Sequence, residues 1–175
     1  MSLDFRRIAM WASGVSFALL VAFILFMPDG MEEMGSILDP EKENVVRLEV
    51  GESAAIDLVD SHYYVALRVV GNDGDPSADL RLVDDGGEEI EGDAPGWLHT
   101  DRLIEENGPT YRPIRVFIVP DSASYTLHNE GDSTLWLVDD YASEMKIISN
   151  PTILAMFGSC LSLIHILTLP TIYSV

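Results

Sequence analysis

Clustered carboxylates are the first candidate chemistry in this chain. Asp73, Asp75 and Asp79 fall in one turn-rich segment that opens Asn72-Asp73-Gly74-Asp75-Pro76. Oxygen donors so close in sequence are the ligand type that Ca²⁺ takes. The spacing departs from the EF-hand loop, because Gly74 comes too early and no Glu stands at the twelfth position. Asp84, Asp85, Glu88, Glu89, Glu91 and Asp93 form a second acidic tract. Solvated turns are the plainer expectation for both, so no cofactor is required and Ca²⁺ is the one these ligands would accept. His62, His99 and His128 are scattered without the paired spacing of a zinc site and are expected on the surface. Trp97, Tyr111 and Trp136 are candidates for a partner surface, since aromatic anchors are typical of interfaces. Strand aromatics also fill cores, and Trp136 falls out of phase with Leu135 and Leu137.

Catalytic signatures are missing. The chain contains no G-x-S-x-G, P-loop, G-x-G-x-x-G or H-E-x-x-H motif. Glu105 and Glu106 are adjacent in a loop, and nothing places them across a cleft as glycoside hydrolysis needs. The protein is expected not to be an enzyme.

Charge sorts the 175 residues into three parts. Between Pro28 and Lys146, 28 Asp or Glu face eight Lys or Arg, a net charge of −20, and both ends of the chain are apolar. A body so acidic repels phosphate backbones, which argues against a nucleic-acid partner. It favours cations or a basic partner, such as another envelope protein. The single Cys160 lies outside the acidic body, so no disulfide can form within it.

Residues 8–27 form a run of 20 without one charge. As a helix they would span about 30 Å, the hydrocarbon thickness of a bilayer. Arg6 and Arg7 precede the run, and Asp29, Glu32 and Glu33 follow it. The positive-inside rule then leaves residues 1–7 cytoplasmic and residues 28–148 extracytoplasmic, with the protein in the cell membrane. A cleavable signal peptide would have a shorter apolar core and a small-x-small site, which Phe26-Met27-Pro28-Asp29 lacks.

The elements that must position the candidate residues follow from periodicity. Residues 28–44 read as an acidic linker, with room for a short helix around 31–38. From Val45 the hydrophobic period is two. Strands are expected at 45–50, 54–58, 63–70, around Leu80 and Leu82, 114–119, 124–128 and 134–138, with a last short one near 145–148. Turn residues such as Asp84-Asp85-Gly86-Gly87 separate them. The fold class expected is mainly β, an antiparallel β-sandwich over 45–148 between a transmembrane helix and a C-terminal hydrophobic helix. The run Ser124–Trp136 resembles the closing hairpin of extracytoplasmic β-sandwich modules of the GOLD type, with Ser124 in place of the family's Gly. That likeness implies a β-sandwich module.

Residues 152–169 are largely apolar and bounded by Pro151 and Pro170, so at face value they form a second membrane helix. The stretch 161–171 also resembles a tail found on unrelated proteins from metagenomic assemblies, similar to translated sequencing-adapter readthrough. On that reading the natural helix breaks off around Ser159 or Cys160. The chain would then be the N-terminal fragment of a larger receptor or transporter-type protein. The leading expectation is a membrane-anchored envelope protein whose acidic sandwich binds, assembles or senses. A calcium-binding exported module is the alternative from a different class.

Overall fold

The N-terminal apolar run forms a helix that outlasts it. In the computed structural model, which describes residues 5–71, 74–97, 99–104 and 108–172, helix α1 spans Phe5–Leu38 and carries Pro28 inside it. Proline removes one amide donor and strains the preceding turn. The helix formers Met31, Glu32, Glu33 and Met34 carry the helix on beyond it. The expected linker is therefore helical to Leu38. It ends in a turn at Asp39, whose carbonyl accepts the Lys42 and Glu43 amides at 3.0 and 2.9 Å.

The chain forms two units, Met1–Met34 with Ile147–Val175, and Gly35–Lys146. In the first, α1 meets helix α3 (Pro151–Ile172). Asn150 caps α3, its Oδ1 accepting the Thr152 and Ile153 amides at 2.9 and 3.1 Å, with Pro151 at the first helical position. A Cβ added at Gly30 would lie 3.0 Å from Met156 Sδ, so glycine permits this close approach. Ile153 and Met156 are buried there.

Among its described residues the second unit holds nine strands: β1 (Val46–Leu48), β2 (Ser53–Leu58), β3 (Tyr64–Val69), β4 (Leu80–Asp84), β5 (Glu89–Ile90), β6 (Arg102–Leu103), β7 (Thr110–Phe117), β8 (Ala123–Asn129) and β9 (Leu135–Asp139). They pair antiparallel throughout, in sheets ordered β1-β9-β3-β7-β6 and β2-β8-β4-β5. Helix α2 (Asp140–Ser149) follows β9. More residues lie in helices than in strands, so the chain is mixed α/β rather than mainly β. The strand expected near 145–148 belongs to α2. Asp139 Oδ1 caps that helix by accepting the Ala142 amide at 2.8 Å, and Asp140 and Lys146 suit its two ends.

Alternation builds the core. One apolar cluster draws on both sheets: Leu48, Tyr64, Ala66, Ile114, Phe117, Leu135 and Leu137 from the first, Ile56, Leu58, Leu82, Tyr125 and Leu127 from the second. The out-of-phase residues of the first sheet, Val65, Leu67, Tyr111, Val116, Trp136 and Val138, make a second cluster on its other face. A register shift between Ala66 and Leu67, beside Pro113, changes the parity of β7. Tyr111 before the irregularity and Val116 after it thereby share one face.

Arg68 ties the two sheets together from β3. Its side chain is fully buried, with Nη2 donating to Asn129 Oδ1 at 2.7 Å and to the Asp79 carbonyl at 3.0 Å, and Nη1 donating to the Ser133 carbonyl. Burial pulls its pKa down, opposed by the charges of Asp132 and Asp79. Asn129 relays the contact, its Nδ2 donating to the carbonyls of Leu48, Glu49 and Ser133 at 3.0–3.1 Å. A Cβ at Gly131 would overlap Arg68 Nη2.

Truncating Arg68 should leave buried acceptors unpaired, and adding a methyl at Gly131 should displace the guanidinium. Arg68→Met and Gly131→Ala are each expected to cost roughly 2–4 kcal/mol. Because they act on one contact, the double variant should cost less than the sum. Urea midpoints of the full chain in detergent measure this; wild-type midpoints in both single variants would refute the tie.

Candidate functional site

The first turn of α2 gathers several titratable side chains. His62 leads into β3, where its amide donates to the Val59 carbonyl at 3.1 Å. Asp139 ends β9 directly opposite Tyr64 in the ladder. That register brings His62 Nδ1 to 2.6 Å from Asp139 Oδ2, both side chains being about one-fifth exposed. The other oxygen of Asp139 caps α2, so one carboxylate serves both the imidazole and the helix. Ser143 Oγ donates to the Asp139 carbonyl at 3.0 Å, and the Asp140 amide to the Tyr63 carbonyl at 3.2 Å.

Aromatic rings frame this dyad. Tyr141 lies 4.6 Å from the His62 ring, and Tyr63 stands edge-on to both Tyr141 and His99 at 6.4 and 6.3 Å between centroids. Arg102 bonds Asp140 through Nη2 and reaches the Leu38 carbonyl through Nη1 at 3.5 Å. Burial first, then a hydrogen bond to Glu144 and the charges of Glu144 and Asp140, pushes the Tyr63 phenol well above its ordinary range, with Arg102 opposing. Burial also raises Tyr64, whose oxygen accepts the Val59 amide at 2.8 Å. Chemically, the Asp139 carboxylate orients the His62 imidazole.

The residues singled out by sequence fall elsewhere. Asp75 bonds Arg112, whose Nη2 also donates to Asp101 Oδ2 at 2.7 Å. That contact holds the Asp101 carboxyl below its ordinary range and raises Arg112. Asp79 accepts from Ser77 Oγ at 2.6 Å, and Asp73 lies outside the described residues. Asp75 and Asp79 are thus each engaged by a protein donor. Among the described residues no group of three His, Cys, Asp or Glu side chains is placed to hold a metal. His128 bonds Ser53 Oγ at 2.7 Å, away from His62 and His99.

The three aromatics do not form one exposed patch. Trp97 is 86% exposed, whereas Tyr111 and Trp136 are 3% and 4% exposed. The latter two pack edge-to-face at 5.2 Å, with the Arg47 guanidinium 5.7 Å from the Trp136 ring. They are covered because Tyr63, Val69 and Ile104 close over that face of the sheet and Glu41 accepts from the Tyr111 hydroxyl at 3.4 Å. Sequence reading missed Asp139, Tyr141, Glu144 and Arg102; the available signal was an acidic pair before a segment ending in Lys146. No family model, curated protein or solved structure matches the chain.

Burial, then Glu41 and Asp39, pushes Tyr111 up to about 12. For Tyr63 and Tyr111 the fold favours the neutral phenol. Their contribution is complete below the unfolded pKa of about 10 and is lost as pH rises through the folded values. The Tyr63→Phe/Tyr111→Phe variant should therefore lose less stability than wild type above about pH 10. Thermal midpoints against pH test this, and parallel alkaline declines in both proteins would count against it.

Proposed function

We propose that the chain is a membrane-anchored envelope protein whose acidic, extracytoplasmic β-sandwich binds or assembles with a partner and carries out no chemistry of its own. The carrying observation is the charge boundary at Pro28: 20 uncharged residues before it, a body of net −20 after it. Helix α1 is long and apolar enough, over Ser13–Leu38, to cross a membrane. Arg6 and Arg7 before the run and acids after it favour a cytoplasmic N-terminus. The apolar cluster common to both sheets supports the sandwich reading, and α3 supplies a second hydrophobic segment. A binding role is favoured because the His62–Asp139 dyad has its carboxylate committed to capping α2 and lies among phenols and acids, with no Ser or Cys side chain bonded to the His62 ring among the described residues. The GOLD-like character of 124–136 belongs to this proposal and agrees with it.

Topology is the direct test. In a Cys160→Ser background, Glu88→Cys should react with a membrane-impermeant maleimide in intact spheroplasts, and Ser2→Cys only after lysis. The reverse pattern, or release of the protein from membranes by alkaline carbonate, would overturn the proposal.

A further inference from the structure

We infer that the free edge of β2 is a docking site for an extended, basic segment of a partner protein, added to the sheet as a further strand. This rests on reading the acidic body as a binding module and names the surface that binds. The edges of the two sheets are unequal. β5 and β6 have two residues each and β1 three, whereas β2 has six and stands at the end of its sheet. Short edge strands are a standard protection against pairing, as are Lys, Pro and bulges within an edge. Ser53-Ala54-Ala55-Ile56-Asp57-Leu58 has none of them within its length.

The ladder fixes which groups are free. The Gly51 amide donates to the Asn129 carbonyl at 3.0 Å, and the Asn129 amide to the Glu52 carbonyl at 2.9 Å. With Gly51 at φ 78°, this is a one-residue bulge just before β2 that needs glycine. From Glu52 onward, antiparallel alternation turns the backbone groups of Ala54, Ile56 and Leu58 toward β8. Those of Ser53, Ala55 and Asp57 point outward, and no described residue bonds them. Small side chains at 53–55 leave the approach open.

Charge selects the occupant. From Glu49 to Tyr64 the chain has four carboxylates, Glu49, Glu52, Asp57 and Asp60, and no Lys or Arg. Asp57 is exposed on the strand itself. A second copy would set these acids against their own kind, which disfavours self-pairing. The complementary strand alternates apolar residues, continuing the Ile56/Leu58 face, with Lys or Arg facing Asp57.

A fluorescent octapeptide of alternating Val and Lys is the probe, titrated against the full chain in neutral detergent, where membrane topology has no bearing. Binding should fall at least about tenfold with Ala55→Pro, which removes an outward amide that the native ladder does not use. It should fall comparably when the peptide amides are N-methylated. Asp57→Lys should weaken the Val-Lys peptide and favour a Val-Glu one, a check independent of whether Ala55→Pro folds. Equal binding by wild type and Ala55→Pro, equal binding of the N-methylated peptide, or no binding overturns the inference. So does dimerisation by sedimentation that Ala55→Pro abolishes while the peptide stays unbound. Failure of the topology experiment with peptide binding intact would instead remove the membrane reading alone.

Discussion

The buried guanidinium of Arg68 is the contact through which the rest of the body is registered. It lies at 0% exposure, bonded to carbonyls and an amide oxygen rather than to a carboxylate. Burying a cation without an ionic partner is costly, and removing its neutral acceptors one by one is costlier still. The surplus of acids eases that cost, since Asp132 and Asp79 stand close enough to favour the charged form. Asn129 transmits the constraint to the carbonyls of Leu48 and Glu49, where the chain passes from one sheet to the other. The position of β2 therefore depends on a side chain in the middle of the opposite sheet.

The same acidity shapes how the few cations are used. Lys42, Arg47, Arg81, Arg102, Arg112 and Lys146 pair with carboxylates, while Arg68 and Arg115 bond carbonyls. Most of these pairs are exposed and contribute little stability singly. Their larger effect is on shape. Arg112 draws the 75 and 101 loops together, and Arg102 links the end of α1 to the start of α2. The remaining carboxylates define a field that fades over about 8 Å at physiological salt.

Local periodicity made the strands legible, as with Tyr125 and Leu127 facing the core and Trp136 facing away from Leu135. It also misled. Trp136 reads as a candidate for a partner surface, but it packs with Val65, Leu67 and Tyr111 in a buried cluster. Met145–Ile148 has β-like composition, and the Asp139 cap turns it into helix. Asp75 read as a free ligand because its partner Arg112 is 37 residues away. His62 and Asp139 are 77 residues apart, and only the pairing of β3 with β9 brings them together. What periodicity cannot carry is non-local pairing.

An acidic edge strand answers a problem that every open sheet poses. Unpaired amides invite any extended chain, and lysine, proline or bulges are the usual deterrents. β2 lacks those, yet Glu52, Asp57 and Asp60 deter copies of the same protein by like charge. That deterrent has a sign. A bulge or a proline blocks all strands alike, whereas carboxylates repel acidic strands and attract basic ones. Since Asn129 holds the bulge at Gly51 in place, the edge is also presented in a fixed register, which lowers the ordering cost for an incoming strand. On the proposed reading, the charge that disfavours nucleic acid and self-association leaves one class of protein partner favoured, at one strand.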